Sequence, residues 1–365
     1  MPKGDERSAR ITRRCRWALT AAVLLALGGA CPTTTRADID PLSGIDLVRI
    51  TQPGNAPWTG VGRANGRGGV NYEYFIGRYE VTTSQWGEFF NAAFDRPADD
   101  RIPHLSPPNF WGAVGTTPTT PGGQRWAVPV GNEMRPVGNI SWRMAAIYAN
   151  WLHNGKSTAR EAFLNGAYDV STFGNLLIEQ RAHTPGARYW VPTWDEWLKA
   201  AHYDPNKVNT DGSIGGWWQY SNGSDDPYIY GPPGTGTANS GWNSTTNPGL
   251  SPFEVPLGAY PSVQSPWGLL DVGGGTTEWT ESLFVTSDGT PYRIHEGSRW
   301  NQSFDQSALA DQMRESGAEL PYIPTLQFGL RIASSVPAPG TGAAGGPAGA
   351  RPRGPRASSR VSQPS

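Results

Sequence analysis

Two acidic side chains, Asp271 and Glu278, flank three consecutive glycines within the segment 267–279. Glycines in series let the backbone adopt positive φ angles and pass close to another group. Backbone carbonyls and the two carboxylates could therefore converge on one point, and calcium prefers about six to eight oxygen ligands in flexible geometry. The alternative is a tight turn between strands whose two acids are solvated, because glycine-rich turns are common.

Sulfur ligands and thiol nucleophiles are confined to the start of the sequence. It has only two cysteines, Cys15 and Cys31, and both lie within residues 1–37. Residues 38–365 therefore contain no disulfide, no thiolate metal site and no cysteine nucleophile. This absence excludes reaction classes that need a thiolate in that part of the chain.

The first 37 residues have the pattern of a secretory signal. Six basic residues precede an apolar run over residues 17–30, which is too short to span a bilayer. Small residues then lead to a cleavage position near Ala37, so we expect an exported chain, secreted or periplasmic, without a transmembrane segment. An unstructured basic tail and lipoprotein processing at Cys31 are the alternatives.

Three helices are indicated by their capping residues. Thr82 is followed three positions later by Gln85, which is the capping-box pattern of a helix start. The same pattern recurs at Thr193 and Glu196, and Ser141 is a favourable N-cap for a helix between them. Apolar residues then recur at helical spacing and should form buried faces. These residues are Trp86, Phe89, Phe90 and Ala93 in the first helix, and Trp194, Trp197, Ala200 and Ala201 in the third.

The remaining sequence predicts strands joined by long irregular segments. Residues 45–50 and 72–76 have strand character, whereas residues 94–135 are rich in Pro, Gly and Thr and predict a surface excursion. The chain has 16 Trp, 46 Gly and 33 Pro but only 37% hydrophobic residues. This composition favours a loop-rich domain with a core of aromatic rings, and it argues against a helical bundle.

Charge is distributed unevenly along the chain. Residues 38–335 carry 19 basic and 29 acidic side chains, while residues 336–365 carry four arginines and no acid. An acidic body does not favour nucleic acid or an anionic membrane as a partner. The last 30 residues consist mainly of Gly, Ala, Pro and Arg, and we expect this tail to be disordered.

The segment 268–279 resembles the Gly-Leu-Tyr-Asp-Met-x-Gly-Asn-Val-x-Glu-Trp signature of the formylglycine-generating enzyme, or sulfatase-modifying factor, family. Residues 268–272 and the pair Glu278-Trp279 match in order and spacing, while Gly275 stands where the family has Asn. Other segments match in the same order along the chain. They are 79–91, 135–152, 190–197, 296–300 and 328–333.

This resemblance implies a single α+β domain over residues 38–335, irregular, loop-rich and of the C-type-lectin-like kind. The chain would be a divergent secreted bacterial member of the family, and we expect it to be a monomer. In the family the glycine loop binds a structural calcium, so the resemblance implies weak calcium binding here. The candidate ligands are Asn239, Asp271, Gly274 and Glu278.

Formylglycine-generating enzymes bind copper(I) through a pair of cysteines and use oxygen to oxidise a cysteine of a sulfatase. The resemblance places these two positions at Asn301 and Gln306. Amide oxygens are hard, weak ligands for a soft ion such as copper(I), so we expect neither copper nor catalytic residues. The candidate residues of a binding groove are Ser298, Trp300 and Asn301.

Three functions remain open, and we favour the first. It is a non-catalytic binding or scaffold module, a pseudoenzyme, whose ligand is an unidentified protein or carbohydrate. The aromatic residues over 217–230 could stack on the rings of a sugar ligand, or they could pack beneath loops. The second is a family oxidoreductase that generates formylglycine or performs another oxygen-dependent reaction at an unidentified metal site. The third is a metal-independent hydrolase that uses Ser298, His295 and Asp305, although no nucleophile elbow surrounds Ser298.

Overall fold

The structure of the protein, a computed structural model, describes residues 39–117, 124–314, 316–325 and 327–335. The expected secretion signal and the C-terminal tail lie outside the described residues. No helix in these ranges combines the length and the apolar character that crossing a membrane requires.

The three capped helices begin where the sequence predicts. The Gln85 N–H donates to Thr82 Oγ1 over 3.2 Å and the Thr82 N–H donates to Gln85 Oε1 over 3.1 Å, which completes the capping box. Thr193 and Glu196 form a second capping box, and the Ser141 hydroxyl caps the middle helix. The helices are α1 (Thr83–Phe94), α2 (Trp142–His153), α3 (Glu161–Leu164), α4 (Trp194–His202) and α5 (Phe304–Ala310).

Two four-stranded sheets and two short hairpins account for the strands of the described residues. The strands are β1 (Leu47–Ile50), β2 (Tyr74–Gly77), β3 (Val114–Gly115), β4 (Trp126–Ala127), β5 (Tyr189–Trp190), β6 (Tyr203–Val208), β7 (Ile214–Trp217), β8 (Thr277–Val285), β9 (Pro291–Glu296), β10 (Gly317–Glu319), β11 (Phe328–Gly329) and β12 (Ala333–Ser334). The first sheet has the order β1-β2-β12-β5 and is antiparallel throughout. The second has the order β10-β9-β8-β11, and in it β11 lies parallel to β8.

The last described strands connect the two sheets. Strand β11 lies beside β8 in the second sheet, and strand β12 lies between β2 and β5 in the first. Only residues 330–332 separate these two strands. The two sheets therefore share one short covalent link, and its middle residue is Arg331.

The core between α1 and α2 is built from aromatic rings. Phe89 lies 4.9 Å from Trp86 and 5.2 Å from Tyr148, measured between ring centroids. Trp151 lies 5.5 Å from the same phenyl ring, and all four side chains are buried. Large rings in edge-to-face contact bury much apolar area and specify their own orientation. The structure thus confirms the expected aromatic core and the predicted buried face of α1.

The predicted excursion over residues 94–135 is irregular in its described part, apart from a short 3₁₀ turn (Ala98–Asp100) and the hairpin β3-β4. Asn91, on the last turn of α1, holds this hairpin. Its Nδ2 donates to the Trp126 carbonyl over 2.9 Å, and its Oδ1 accepts from the N–H groups of Arg125 and Trp126. One amide side chain therefore satisfies three backbone groups of this irregular segment.

Aromatic residues in the segment 217–230 pack beneath loops. Tyr220 and Tyr228 are 6% and 5% exposed and form a small hydrophobic cluster. The ring of Trp218 is covered by Lys207, whose Nζ lies 3.7 Å from the ring centroid. These residues therefore follow the second of the two alternatives, packing beneath loops, and not stacking on sugar rings.

Candidate functional site

Arg331 is fully buried, and its guanidinium binds groups from three parts of the chain. It forms a bidentate ion pair with Glu278, in which Nη2 lies 2.8 Å from Oε1 and Nε lies 3.1 Å from Oε2. The remaining hydrogens donate to the carbonyls of Gly77, Arg78 and Leu270 over 2.6 to 3.0 Å. Every N–H of this cation is thus paired, which is the condition for burying a charge.

A second buried carboxylate, Glu80, lies against the glycine loop. Its Oε1 accepts from the Thr276 N–H over 3.0 Å, and its Oε2 accepts from the Thr276 hydroxyl over 2.5 Å. Burial raises the pKa of Glu80 well above its usual range, and the nearby charge of Glu278 raises it further. At Gly275, where φ is +65°, a Cβ would lie 2.4 Å from Glu80 Oε1. A larger residue such as Asn would require the Glu80 carboxylate to move, because that carboxylate occupies the space a side chain would need.

Two of the four candidate calcium ligands, Asn239 and Gly274, are brought together as partners in an isolated parallel bridge. Asn239 Nδ2 donates to the Pro252 carbonyl over 2.7 Å. Asn239 Oδ1 is buried and has no hydrogen-bond partner within the described ranges. This side-chain oxygen is therefore free to accept a cation.

The other two candidates, Asp271 and Glu278, have different partners. Asp271 accepts from the Gly258 N–H over 2.6 Å, and burial raises its pKa to about 6. Glu278 accepts from the Trp197 indole over 2.8 Å in addition to its ion pair with Arg331. In the described part of the chain, no three His, Cys, Asp or Glu side chains cluster closely enough to hold a metal ion. The residues therefore do not fit a calcium site built around Glu278.

Ser298, a candidate groove residue, lies beneath the loop. Its Oγ donates to Asp311 Oδ2 over 2.8 Å and accepts from the Gly274 N–H over 2.8 Å. Burial raises the pKa of Asp311 to about 6. Because Ser298 is fully buried, its hydroxyl has no access to a substrate. The geometry gives no support to the hydrolase alternative, in which His295 and Asp305 would be its partners.

Trp300 and Asn301 line an open depression of about 570 Å³, which we call the aromatic groove. The groove is lined by Gly241, Trp242, Asn243, Ser244, Ser251, Pro252, Trp300, Asn301, Gln302, Ser303 and Phe304. None of these side chains is ionisable. The Trp300 ring packs against Phe110 and Phe253, at 5.4 and 5.9 Å between ring centroids. Aromatic rings, amides and hydroxyls thus form a neutral surface with a fixed Trp ring.

A second depression, of about 290 Å³, lies between β9 and α5, and we call it the Arg299 pocket. Its lining residues are Thr277, His295, Glu296, Gly297, Arg299, Gln302, Gln306, Leu309, Ala310, Ser316 and Gly317. Gln306 lines this pocket, whereas Asn301 lines the aromatic groove. The two residues at the positions of the catalytic cysteines of formylglycine-generating enzymes therefore line different depressions.

Three residues of this region, Arg331, Trp242 and Arg299, are missed by the sequence analysis. Arg331 carries a signal, because an arginine within the apolar stretch 328–333 must find a buried partner. Trp242 and Arg299 lie in irregular segments whose course has no periodic signal in the sequence. Their places beside the two depressions become visible only in three dimensions.

Replacing Glu278 with Gln should destabilise the fold by about 3–5 kcal/mol, because the variant leaves the buried Arg331 cation without its counter-charge. Urea unfolding followed by tryptophan fluorescence measures the loss. The matched control is Glu73→Gln, which removes the exposed pair with Arg49 and should cost less than about 1 kcal/mol. Equal losses in the two variants would contradict a central role for the buried pair.

We expect calcium to raise the melting temperature only at millimolar concentrations, and EDTA to leave it unchanged. Asn239 offers one side-chain oxygen, and calcium sites with few charged ligands bind at about 10⁻⁴–10⁻³ M. Scanning fluorimetry with CaCl₂, using MgCl₂ as the control, tests this expectation. A melting temperature that EDTA lowers, or that micromolar calcium raises, would contradict this expectation and show a complete calcium site.

Comparison with solved structures finds similar chains at low identity. CarF is 18% identical with a TM-score of 0.48, and the match covers 81% of this chain and 100% of CarF. Treponema denticola variable protein 1 is 16% identical with a TM-score of 0.46, covering 79% of this chain and 94% of that one. PvdO from Pseudomonas aeruginosa is 13% identical with a TM-score of 0.42, covering 80% and 95%. Likenesses at this level carry no inference about function.

The family match covers most of the sequence. Residues 51–336 match the family described as Sulfatase-modifying factor enzyme 1-like domain. No curated protein matches the chain. The mixed helices and sheets agree with the α+β, C-type-lectin-like fold that the sequence predicts. The chain therefore belongs to the sulfatase-modifying factor enzyme 1-like family.

Proposed function

We propose that this chain is a non-catalytic binding module and that its aromatic groove binds a neutral carbohydrate. The observation that carries the proposal is the lining of the groove, which combines aromatic rings with amides and hydroxyls and has no ionisable side chain among the described residues. Ligand sites typically pair aromatic and apolar walls with a few polar groups that fix orientation. A sugar matches such a lining, since its C–H faces pack on rings and its hydroxyls bond to amides.

The rings of the groove are already positioned for stacking. Trp300 is partly buried and fixed between Phe110 and Phe253, so its ring would lose little conformational freedom on binding. Phe304 also lines the groove and is 54% exposed. The Phe304 ring is therefore accessible to a ligand in the groove.

The polar side chains of the groove are available to a ligand. Asn301, Ser244 and Ser303 are exposed, and their side chains form no hydrogen bond to any described residue. Bonds formed by these groups with a ligand would replace bonds with water, so each adds modest affinity and more specificity. Millimolar to micromolar affinity is the expected range for such a site.

The residues at two positions support the absence of catalysis. These are the positions at which formylglycine-generating enzymes have their copper-binding cysteines. Asn301 and Gln306 offer amide groups there, and they line different depressions. A soft metal needs thiolate or similarly soft ligands at adjacent positions. This pair of residues supplies neither the ligand type nor a shared cavity.

The carbohydrate proposal is tested with neutral oligosaccharides, namely cellotetraose, maltotetraose, mannotetraose and chitotetraose, by isothermal titration calorimetry. We expect at least one to bind, and Phe304→Ala to weaken that binding about tenfold, which corresponds to about 1.4 kcal/mol of lost ring contact. The matched control is Phe284→Ala, because Phe284 is 40% exposed and lies outside the groove. Binding that both variants weaken equally, or no binding by any of the four sugars, would refute the proposal.

Formylglycine generation is tested separately. The purified chain is incubated with copper(I), oxygen and a peptide that carries the Cys-x-Pro-x-Arg motif, and mass spectrometry follows conversion of the cysteine. We expect no turnover above a copper-only control, and none after Asn301→Cys alone, because the enzymes that the chain resembles use a cysteine pair. Turnover by the unmodified chain would favour the oxidoreductase alternative and a different metal site.

A further inference from the structure

We propose that the Arg299 pocket is a second ligand site and that it binds a small organic monocarboxylate with a short apolar body. The proposal is independent of the carbohydrate site. The two depressions share Gln302 as a wall but have different lining chemistry. One is neutral, and the other contains a cation.

The Arg299 guanidinium has no counter-charge in the described structure. Its Nε is inaccessible to solvent and has no hydrogen-bond partner there. Burial lowers the pKa of Arg299, and no acid among the described residues offsets that effect. Buried or partly buried charges in proteins are normally paired, because removing a charge from water costs free energy. Arg299 is partly buried and lines the pocket, so its guanidinium is placed to bind an anionic ligand there.

The other ionisable groups of the lining do not neutralise this cation. His295 is uncharged at neutral pH, because burial and the charge of Arg299 lower its pKa to about 3. The Glu296 carboxylate accepts a hydrogen bond from the Trp194 indole and takes part in further contacts. The described lining thus contains one cation, a neutral imidazole and a carboxylate that accepts from the Trp194 indole.

The size and the walls of the pocket favour a small, partly apolar ligand. The volume of about 290 Å³ lies at the lower limit of typical ligand pockets. Leu309 and Ala310 provide apolar walls, and Gln306 provides an amide at the exposed side. Arginine binds carboxylates through two parallel N–H···O bonds. A dianion such as phosphate fits less well, because the described lining contains one cation and the Glu296 carboxylate in the same wall repels a dianion more strongly than a monoanion.

The test uses the whole chain and two matched pairs of probes, phenylacetate with phenylacetamide and hexanoate with hexanamide. Isothermal titration calorimetry should show saturable binding of at least one acid at millimolar concentration or below, and at least tenfold weaker binding of its amide. Arg299→Gln should abolish the preference for the acid. Arg181→Gln, which removes an exposed arginine outside the pocket, should retain it.

A second variant separates loss of the cation from loss of the fold. Leu309→Trp fills the pocket from an exposed position and should block both acid and amide while the melting temperature is retained. Equal affinity for acid and amide, or unchanged binding of the acid by Arg299→Gln, would overturn the proposal. The proposal would also be overturned if neither acid bound at concentrations on the order of 10 mM. If inorganic phosphate bound more strongly than either acid, a monocarboxylate would be rejected as the ligand class. None of these results bears on sugar binding in the aromatic groove.

Discussion

The ion pair between Arg331 and Glu278 is the interaction on which the arrangement of the two sheets depends. Arg331 lies on the short link between β11 and β12, and Glu278 lies on β8 of the second sheet. The same guanidinium binds the carbonyls of Gly77 and Leu270, at the end of β2 and in the approach to the glycine loop. A buried pair of this kind stabilises only when every polar atom is satisfied, because desolvation of both ions opposes it.

This ion pair also determines what the glycine loop can do. The loop brings Asn239 and Gly274 together, but the carboxylate that would complete a cation site is bound to Arg331. Glu80 fills the space beside Gly275. The sequence suggested that Asp271 and Glu278 are ligands of a hard cation. In the structure they instead accept hydrogen bonds from the protein, from the Gly258 N–H and from Arg331. The charge that stabilises this region comes from an arginine side chain.

Local signals in the sequence predicted the helices, and non-local contacts explain what was missed. Thr82 and Thr193 cap helices through residues three positions away, so their roles can be read along the chain. Helix α5 was not predicted, because its seven residues carry too little periodicity. Of the groove candidates, Trp300 and Asn301 line a depression. Ser298 is buried instead, and its hydroxyl donates to Asp311, which follows the last residue of α5. The Arg299 pocket is lined by residues of β8, β9, α5 and β10 and of the loops beside them, and it could not be predicted from any one of these segments.

The central position of β12 has a consequence for how the chain reaches its folded state. The inner place of the first sheet, between β2 and β5, is filled by Ala333 and Ser334, near the end of the matched domain. Until these residues leave the ribosome, β2 and β5 each have an unpaired edge. Glu278 likewise has no counter-charge until Arg331 has been synthesised. Contacts between residues so distant in sequence form slowly, and open strand edges invite association with other chains. Synthesis of this protein therefore passes through a long interval in which most of the domain exists without the strand that closes it.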